Sequence, residues 1–250
     1  MMLDYSDPIL NHVIISGNIG YGAGIILDYS YPTLTHVVIN GNHATYGHVI
    51  VISNSSPIFS HLIMSDNSGT AHNGIRVINY SNLTLINSII WDSGSVDLLN
   101  STSIISYNNI ENDITMDENS SWEGEGNIDK NPLFTDPENG DYTLQEGSPC
   151  IDAGTSFFEY EGEVLVDMSE GEYYGSAPDM GAYEWYPEEP EYELGDLNGD
   201  ESINVLDVVM LVDNILIAGE YIPAGDLTND GSLDVLDIVA LVNIILNGVE

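Results

Sequence analysis

The chain has 250 residues, of which 43% are apolar, enough for a folded core. It carries 41 acidic residues against two basic ones, a formal net charge of −39, which excludes nucleic acids and anionic membrane surfaces as partners because both require Lys and Arg. No apolar run approaches about 20 residues, so no membrane span is predicted.

An internal repeat dominates the first part of the chain. Four segments align without gaps and place an equivalent residue at steps of 24, 25 and 26, at Pro8, Pro32, Pro57 and Leu83. Each copy holds short β-branched runs separated by Gly, Asn and Ser, a pattern typical of strands joined by turns. One copy could not bury its own apolar face, so the copies must stack. The pattern predicts a parallel β-helix with coils of about 25 residues and a degenerate fifth copy at residues 101–112.

Stacked coils place equivalent side chains about 4.8 Å apart, so identical residues form ladders. One expected ladder consists of amides and contains Asn18, Asn42 and Asn67. A second consists of imidazoles, His12, His36 and His61, and continues at Asn87, which favours a structural column over a transition-metal site. The first copy begins at residue 1 without a cap, so we expect further coils upstream in a longer protein.

The repeats resemble the right-handed parallel β-helix of the pectate-lyase-like superfamily over about residues 1–126. Asp66 and Asp92 occupy equivalent places in adjacent coils, and stacked carboxylates can form the acid/base pair of a glycoside hydrolase. They are the catalytic candidates, with solvated turn residues as the alternative. Lyases of this fold use a basic residue, and only Arg76 lies within the repeats, so lyase activity is disfavoured.

The repeat is lost after residue 126, where Gly and Pro become dense. Residues 127–186 contain NPLF, GDYTL, GSPCIDAG and DMGAYE and resemble the tail that closes many secreted bacterial β-helix proteins. The resemblance implies an irregular cap over the last coil, in a secreted, cell-surface or polysaccharide-related protein. Cys150 within this tail is expected to be a buried core thiol. Residues 187–194, with two prolines and four glutamates, form a predicted extended linker.

Two acidic twelve-residue loops, at 196–207 and 226–237, follow with an offset of 30. Calcium takes six to eight oxygen ligands, and alternate loop positions supply them. The predicted ligands of loop one are Asp196, Asn198, Asp200, the Ser202 carbonyl, Asn204 through water, and Asp207. Those of loop two are Asp226, Thr228, Asp230, the Ser232 carbonyl, Asp234 and Asp237. We therefore predict two calcium ions, the alternative being a pair of acidic turns without metal.

Two positions within these loops have expected structural roles. Position six, at the sharp turn, is Gly231 in loop two but Glu201 in loop one. Position eight, Ile203 or Leu233, is expected to pair the loops through a short backbone bridge.

Each loop runs into a predicted apolar helix, at residues 205–217 and 235–246, and neither loop has a helix before it. This loop–helix pair, with Asp at position twelve, resembles the type I dockerin over residues 195–250, which implies docking to a cohesin. The helices are apolar on more than one side, so a partner is needed to cover the remainder. The predicted partner-binding residues are Val205, Leu206, Met210, Val235 and Leu236.

The sequence as a whole predicts a secreted or cell-surface β-helix protein that docks to a cohesin in an extracellular, polysaccharide-associated complex. Two alternatives remain open. The β-helix is itself a polysaccharide-degrading enzyme, or it is an adhesin or glycan-binding stalk.

Overall fold

The computed structural model describes residues 1–69, 74–187, 193–217 and 219–247. The chain divides into two compact units, residues 1–187 and 188–250. The predicted linker at 187–194 lies for its larger part, residues 188–192, outside the described ranges. Among the described residues, no helix is both long enough and apolar enough to cross a bilayer.

The first unit is built from short strands. In chain order they are β1 (Met2–Asp4), β2 (Ile9–Asn11), β3 (Ile14–Ser16), β4 (Ile19–Gly20), β5 (Ile25–Asp28), β6 (Thr33–Asn40), β7 (His43–Ala44), β8 (Ile50–Ser53), β9 (Ile58–Ser65), β10 (Ser68–Gly69), β11 (Ile75–Ile78), β12 (Asn82–Ile86), β13 (Ile89–Ile90), β14 (Val96–Leu99), β15 (Thr102–Ser106), β16 (Asn109–Ile110), β17 (Ile114–Met116), β18 (Ser121–Glu123), β19 (Phe134–Asp136), β20 (Asp141–Leu144), β21 (Phe157–Tyr160) and β22 (Glu163–Asp167).

The strands stack as a parallel β-solenoid, which confirms the predicted fold class. The first sheet runs β1-β5-β8-β11-β14-β17, the second contains β2, β3, β6, β9, β12, β13, β15, β16 and β18, and the third runs β10-β7-β4. In the first sheet Ile25 pairs with Ile50 and Ile50 with Ile75, as a coil of about 25 residues requires. Ile75 then pairs with Val96, and Val96 with Ile114, so the last coils are shorter than the repeat predicts.

The interior of the solenoid is filled by alternate strand residues, because successive side chains in a strand point to opposite faces. Ile25 and Leu27 of one coil lie in the same buried cluster as Ile50 and Ile52 of the next. Phe59, on the second sheet, is fully buried in this cluster. Each coil thus leaves apolar surface that only its neighbours can cover, which is why the repeat must be stacked.

Side-chain ladders hold the corners of the coils. Asn18 Nδ2 donates to Asn42 Oδ1 at 2.9 Å, and Asn42 Nδ2 donates to Asn67 Oδ1 at 3.1 Å, as the sequence predicts. A serine ladder runs parallel to it, in which the Ser30 amide donates to Ser55 Oγ at 2.9 Å and the Ser55 amide to Ser81 Oγ at 3.1 Å. The serine bonds satisfy backbone donors where the chain turns out of a strand.

The segment 127–187 packs along the side of the solenoid, whereas the sequence predicts a cap over its last coil. Val38, Ile63 and Ile89 share a buried cluster with Tyr142 and Met180 of this segment. These three solenoid residues lie in register in successive coils. Because their side chains form an apolar stripe across the coils, a cover along the side buries more apolar surface than a cover at the end alone.

The second unit contains helices α1 (Val205–Leu216) and α2 (Val235–Asn247), close to their predicted bounds. Asn204 caps α1 by accepting from the Leu206 amide, and the Asp207 carboxylate accepts from the Asn204 amide. Among the described residues, no helix leads directly into loop one, and only a short 3₁₀ turn, Pro223–Gly225, leads directly into loop two.

The two halves of this unit pack through equivalent residues. Leu211 and Leu241, 30 positions apart, are both fully buried. Gly195 has φ of +100°, and a Cβ there would lie 3.0 Å from Leu241 Cδ1, so this position needs glycine for both reasons. The predicted backbone bridge between Ile203 and Leu233 is absent from the described residues. The side chain of Ile203 instead lies against Gly195.

Candidate functional site

The first residue of each acidic loop folds the loop around its own carboxylate. Asp196 Oδ1 accepts from the Gly199 amide at 2.9 Å, and Asp196 Oδ2 accepts from the Glu201 amide at 2.9 Å. In loop two, Asp226 Oδ2 accepts from the Gly231 amide at 2.8 Å, in the equivalent arrangement. Backbone donors therefore fix the same loop shape twice.

The last residue of each loop joins the loop to its helix. Asp207 and Asp237 are fully buried, each at the third position of its helix. Asp207 Oδ2 accepts from the Asn204 amide at 2.8 Å, and Asp237 Oδ2 accepts from the Asp234 amide at 2.9 Å. The other oxygen of Asp237 accepts from the Thr228 amide at 3.0 Å. Each carboxylate thus connects the start of its loop to the start of its helix.

The sharp turn of loop one forms without the usual glycine. Glu201 has φ of +64°, and Gly231 at the equivalent place has φ of +80°. A left-handed backbone costs a residue with a Cβ roughly 1–2 kcal/mol, which glycine avoids. Loop two has its own left-handed residue with a Cβ two positions earlier, Asn229 with φ of +53°, where loop one has Gly199. Loop one carries the greater strain only because Asn tolerates this backbone better than Glu does.

The buried carboxylates of this unit fit a divalent cation. Asp196, Asp207, Asp226 and Asp237 are each at most 8% exposed. No Lys, Arg or His follows Lys130 in the sequence, so no basic side chain of this unit can neutralise them. A buried carboxylate without a counter-charge is strongly unfavourable, and a bound cation removes that penalty. The amide, hydroxyl and carbonyl oxygens of the remaining predicted ligands are those that calcium prefers.

The described loops hold their carboxylates on backbone amides and do not gather them into one cluster. In the described part of the chain, no three side chains of Asp, Glu, His or Cys stand at the spacing of a metal centre. All twelve predicted ligand residues nevertheless lie within the two loops.

Loop two has a further partner that the sequence did not suggest. The Tyr221 hydroxyl donates to Asp226 Oδ2 at 2.7 Å, and this bond lowers the pKa of Asp226. The hydroxyl and its acceptor are five residues apart, and Tyr221 lies outside the twelve-residue motif. The contact between Tyr221 and Asp226 forms because the chain turns back over the loop at Tyr221. The spacing of residues within the loop motif could not have predicted this contact.

The helices expose an apolar surface, which we call the apolar docking surface. The five predicted partner-binding residues are all exposed, by 41–64%: Val205, Leu206, Met210, Val235 and Leu236. Val209 and Val239 are also exposed, by 59% and 54%. Leu211 packs inward between the two halves and leaves the first turns of both helices uncovered.

Asp66 and Asp92 are exposed turn residues. Their φ values are +53° and +49°, at the corner where earlier coils have Gly17 and Gly41. Asp tolerates a left-handed backbone better than most residues, which accounts for the choice. The Tyr142 hydroxyl donates to Asp66 Oδ2 at 2.9 Å. Asp66 thus serves as an anchor for the segment along the side of the solenoid.

The imidazole column forms as predicted. The rings of His12, His36 and His61 stack at centroid distances of 4.8 Å, and Asn87 Nδ2 lies 3.0 Å from His61 Nε2. Asn87 then exchanges hydrogen bonds of 2.8 Å with the backbone of Thr155. The ring stack ends where Asn87 replaces His in the column. The Asn87 side chain attaches the segment 127–187 to the solenoid through Thr155.

Cys150 is a buried thiol, as expected. It is fully buried, and Asn109 Nδ2 donates to its Sγ at 3.1 Å. Burial raises the pKa of Cys150 to about 11, so the nucleophilic thiolate is scarce at neutral pH.

A comparison with protein-family models matches residues 194–246 to the dockerin type I domain. Searches of curated proteins and of solved structures returned no match. The chain therefore carries a type I dockerin domain after a β-solenoid. Such a domain implies docking to a cohesin within a complex. Type I dockerins typically bind calcium, and dockerin proteins are generally extracellular or attached to the cell surface.

Proposed function

We propose that this protein is secreted and that its dockerin domain attaches the β-solenoid to a cohesin in a polysaccharide-associated complex. The observation that carries the proposal is the pairing of two features in the second unit. Buried carboxylates without counter-charges lie directly before helices whose first turns are apolar and exposed. The first feature calls for a cation and the second for a protein partner.

The first step is calcium binding at both loops. The ligands are those predicted from the sequence, with Asp207 and Asp237 as the most buried carboxylates of loops one and two. When bound, calcium supplies positive charge to these oxygens and ties each loop to its helix. Loop one, with Glu201 at the strained turn, is the weaker of the two sites.

The second step is docking through the apolar docking surface. Val205 and Leu206 begin α1, and Val235 and Leu236 occupy the same places at the start of α2. The loops fix these helix starts through Asp207 and Asp237, so the surface is formed only when the loops are ordered. Because the halves are nearly equivalent, the partner can bind in two orientations related by exchange of the helices.

Calorimetric titration of the full chain with calcium tests the first step. We expect two binding events, and the variants Asp207→Asn and Asp237→Asn each lose one of them. Asp213→Asn is the matched control because Asp213 is an exposed carboxylate of α1 outside the loops. Loss of neither event in the loop variants would contradict the assignment of these ligands.

Binding to a type I cohesin, measured with and without EGTA, tests the second step. We expect binding that EGTA abolishes. Leu206→Asp or Leu236→Asp alone should weaken it little, and the double variant should weaken it at least about 100-fold, since both orientations are then blocked. Tyr80→Asp, a change at an exposed apolar side chain of the solenoid, serves as the control. Unchanged binding of the double variant would reject this surface.

The alternative function is that the solenoid itself binds or degrades a polysaccharide. One observation favours glycan contact: an open groove lined by hydroxyl, amide and carboxylate groups lies on the second sheet. Incubation of the full chain with neutral and uronic-acid glycans, followed by product analysis, separates an enzyme from a binding protein.

A further inference from the structure

The solenoid unit carries a groove of about 730 Å³. It lies between the outer face of the second sheet and the hairpin β21–β22. Its position differs from that of the catalytic candidates, since neither Asp66 nor Asp92 lines it. The groove is therefore a separate feature of the molecule.

Two columns of outward-facing side chains form the floor of the groove. One column is in register over four coils and consists of Ile58, Thr84, Ile104 and Glu123. The other lies two residues earlier on each strand and includes Asn82, Thr102 and Ser121. At about 4.8 Å per coil, four coils give the floor a length of about 14 Å. The floor thus alternates apolar and hydrogen-bonding groups along an extended path.

The hairpin provides the wall. Tyr160 ends β21, and its hydroxyl donates to Glu123 Oε1 on the floor at 2.7 Å. This bond holds the wall beside the floor, although the two residues are 37 positions apart. Glu161, Glu163 and Leu165 complete the wall. Carboxylates therefore face the groove from both sides.

The chemistry of the lining selects against anionic ligands. It contains three carboxylates, of Glu123, Glu161 and Glu163, and no Lys, Arg or His. Anionic ligands would meet like charge with no basic group to bind them. A single metal ion is disfavoured as well, because no three acidic side chains of the described residues stand at metal spacing. The carboxylates alone would also suit a cation, but the floor adds hydroxyl and amide groups, which call for a ligand rich in hydroxyl groups. The apolar side chains of Ile58 and Ile104 call for one that also carries C–H faces, and a neutral sugar offers both.

We propose that this groove binds a neutral oligosaccharide chain. Carboxylates accept hydrogen bonds from sugar hydroxyls, and charge-assisted bonds of this kind are the strong ones. Ile58, Ile104 and the ring of Tyr160 offer apolar surface for the C–H faces of the sugar rings. The floor extends along the coils, which suits a chain rather than a single sugar. This inference deepens the alternative function above and does not depend on the dockerin domain.

The test is calorimetric titration of the calcium-loaded full chain with hexasaccharides of β-1,4-linked glucose, xylose and mannose, and with hexagalacturonate as the acidic probe. We expect at least one neutral hexasaccharide to bind and the acidic one not to bind. Glu123→Gln and Glu163→Gln should each weaken binding about tenfold, since each replaces a charged acceptor by a neutral one. Glu123→Gln retains an acceptor for Tyr160, so the hairpin is expected to stay in place.

Glu138→Gln, which makes the same change at an exposed carboxylate outside the groove, is the matched control and should leave binding unchanged. Absence of binding by all neutral probes, tighter binding of hexagalacturonate, or equal binding by the two groove variants and the parent would each overturn the proposal. Cohesin binding should also be measured for the two groove variants. We expect it to be unchanged whether or not the oligosaccharides bind, so a failure of the groove proposal can be told apart from a failure of the docking proposal.

Discussion

At the scale of single residues, the stacking of the imidazole rings determines which protonation state His61 can adopt. Asn87 Nδ2 donates toward His61 Nε2 at 3.0 Å, so that nitrogen must be unprotonated to accept. Burial, followed by the neighbouring His36, lowers the pKa of His61 to about 3. A protonated His61 would be buried without a counter-charge.

Acid should therefore destabilise the solenoid through His61. Its pKa is about 3 when folded and about 6.5 when unfolded, so its contribution is complete above pH 6.5 and is lost as the pH falls toward 3. We expect the unfolding free energy of the full chain in calcium to fall by at most about 1.4 kcal/mol per pH unit from this group. His61→Gln should remove that slope in denaturant titrations between pH 7 and 4. His12→Gln, at the exposed end of the stack, should keep it.

A buried carboxylate has the opposite dependence on pH. Asp179 is almost fully buried, and burial raises its pKa to about 7 although the amides of Asp152 and Trp185 donate to it. Glu184, whose pKa is also raised by burial, accepts from the Asp179 amide. The DMGAYE element thus holds carboxylates against backbone donors inside the segment along the side.

Asp179 should make the solenoid unit less stable as the pH rises from about 4 to about 7. A folded pKa above the unfolded value of about 3.9 gives stability that is complete below that value and is lost as the pH rises through 7. We expect the slope of unfolding free energy between pH 5 and 8 to be reduced in Asp179→Asn. Asp113→Asn removes an exposed carboxylate instead and should leave the slope as it is. Parallel pH profiles for all three proteins would contradict the raised pKa.

At the scale of elements, the asparagine ladder explains why the coils keep their register. Asn42 is fully buried and donates to Asn67 Oδ1 and to the Ile15 carbonyl, while its Oδ1 accepts from Asn18. The exposed Asn18, at the first coil, makes fewer buried contacts. A buried rung is therefore expected to matter more than a terminal one.

Asn42→Ala should lower the unfolding free energy by about 2–4 kcal/mol, because it leaves more than one buried group without a partner. Asn18→Ala should lower it by no more than about 1 kcal/mol, since water replaces its contacts. Denaturant unfolding followed by the β-sheet signal in circular dichroism measures both. Equal losses for the two variants would show that the ladder does not act through burial.

The sequence predicted the elements that repeat and missed those that depend on packing between distant segments. The Asn ladder, the stacked coils and both helices follow from fixed offsets in the chain. The side packing of residues 127–187 does not, because the stripe of Val38, Ile63 and Ile89 looks like any other β-branched strand residues. The groove could not be predicted from the sequence for the same reason. Its Tyr160–Glu123 contact joins two residues that belong to no repeat offset and to no motif.

At the scale of the whole molecule, the net charge of −39 acts unequally on the two units. The solenoid unit keeps its fold through apolar burial and ladders that need no ion. The second unit buries Asp196, Asp207, Asp226 and Asp237 around a small core that includes Leu211 and Leu241. A unit of this size has little apolar burial with which to offset uncompensated charge.

Removal of calcium should therefore unfold the second unit and spare the first. A ligand at 100 times its dissociation constant stabilises the folded state by about 2.7 kcal/mol, a large share of the stability of so small a unit. We expect EGTA to abolish the helical signal in circular dichroism and to remove one of two calorimetric transitions of the full chain, while the β-sheet transition remains.

Added calcium should restore the helix, and magnesium should restore it poorly because it demands stricter octahedral coordination. High salt alone should recover little of the signal, since screening acts weakly on buried carboxylates. An unchanged helical signal in EGTA would show that the acidic loops fold without metal.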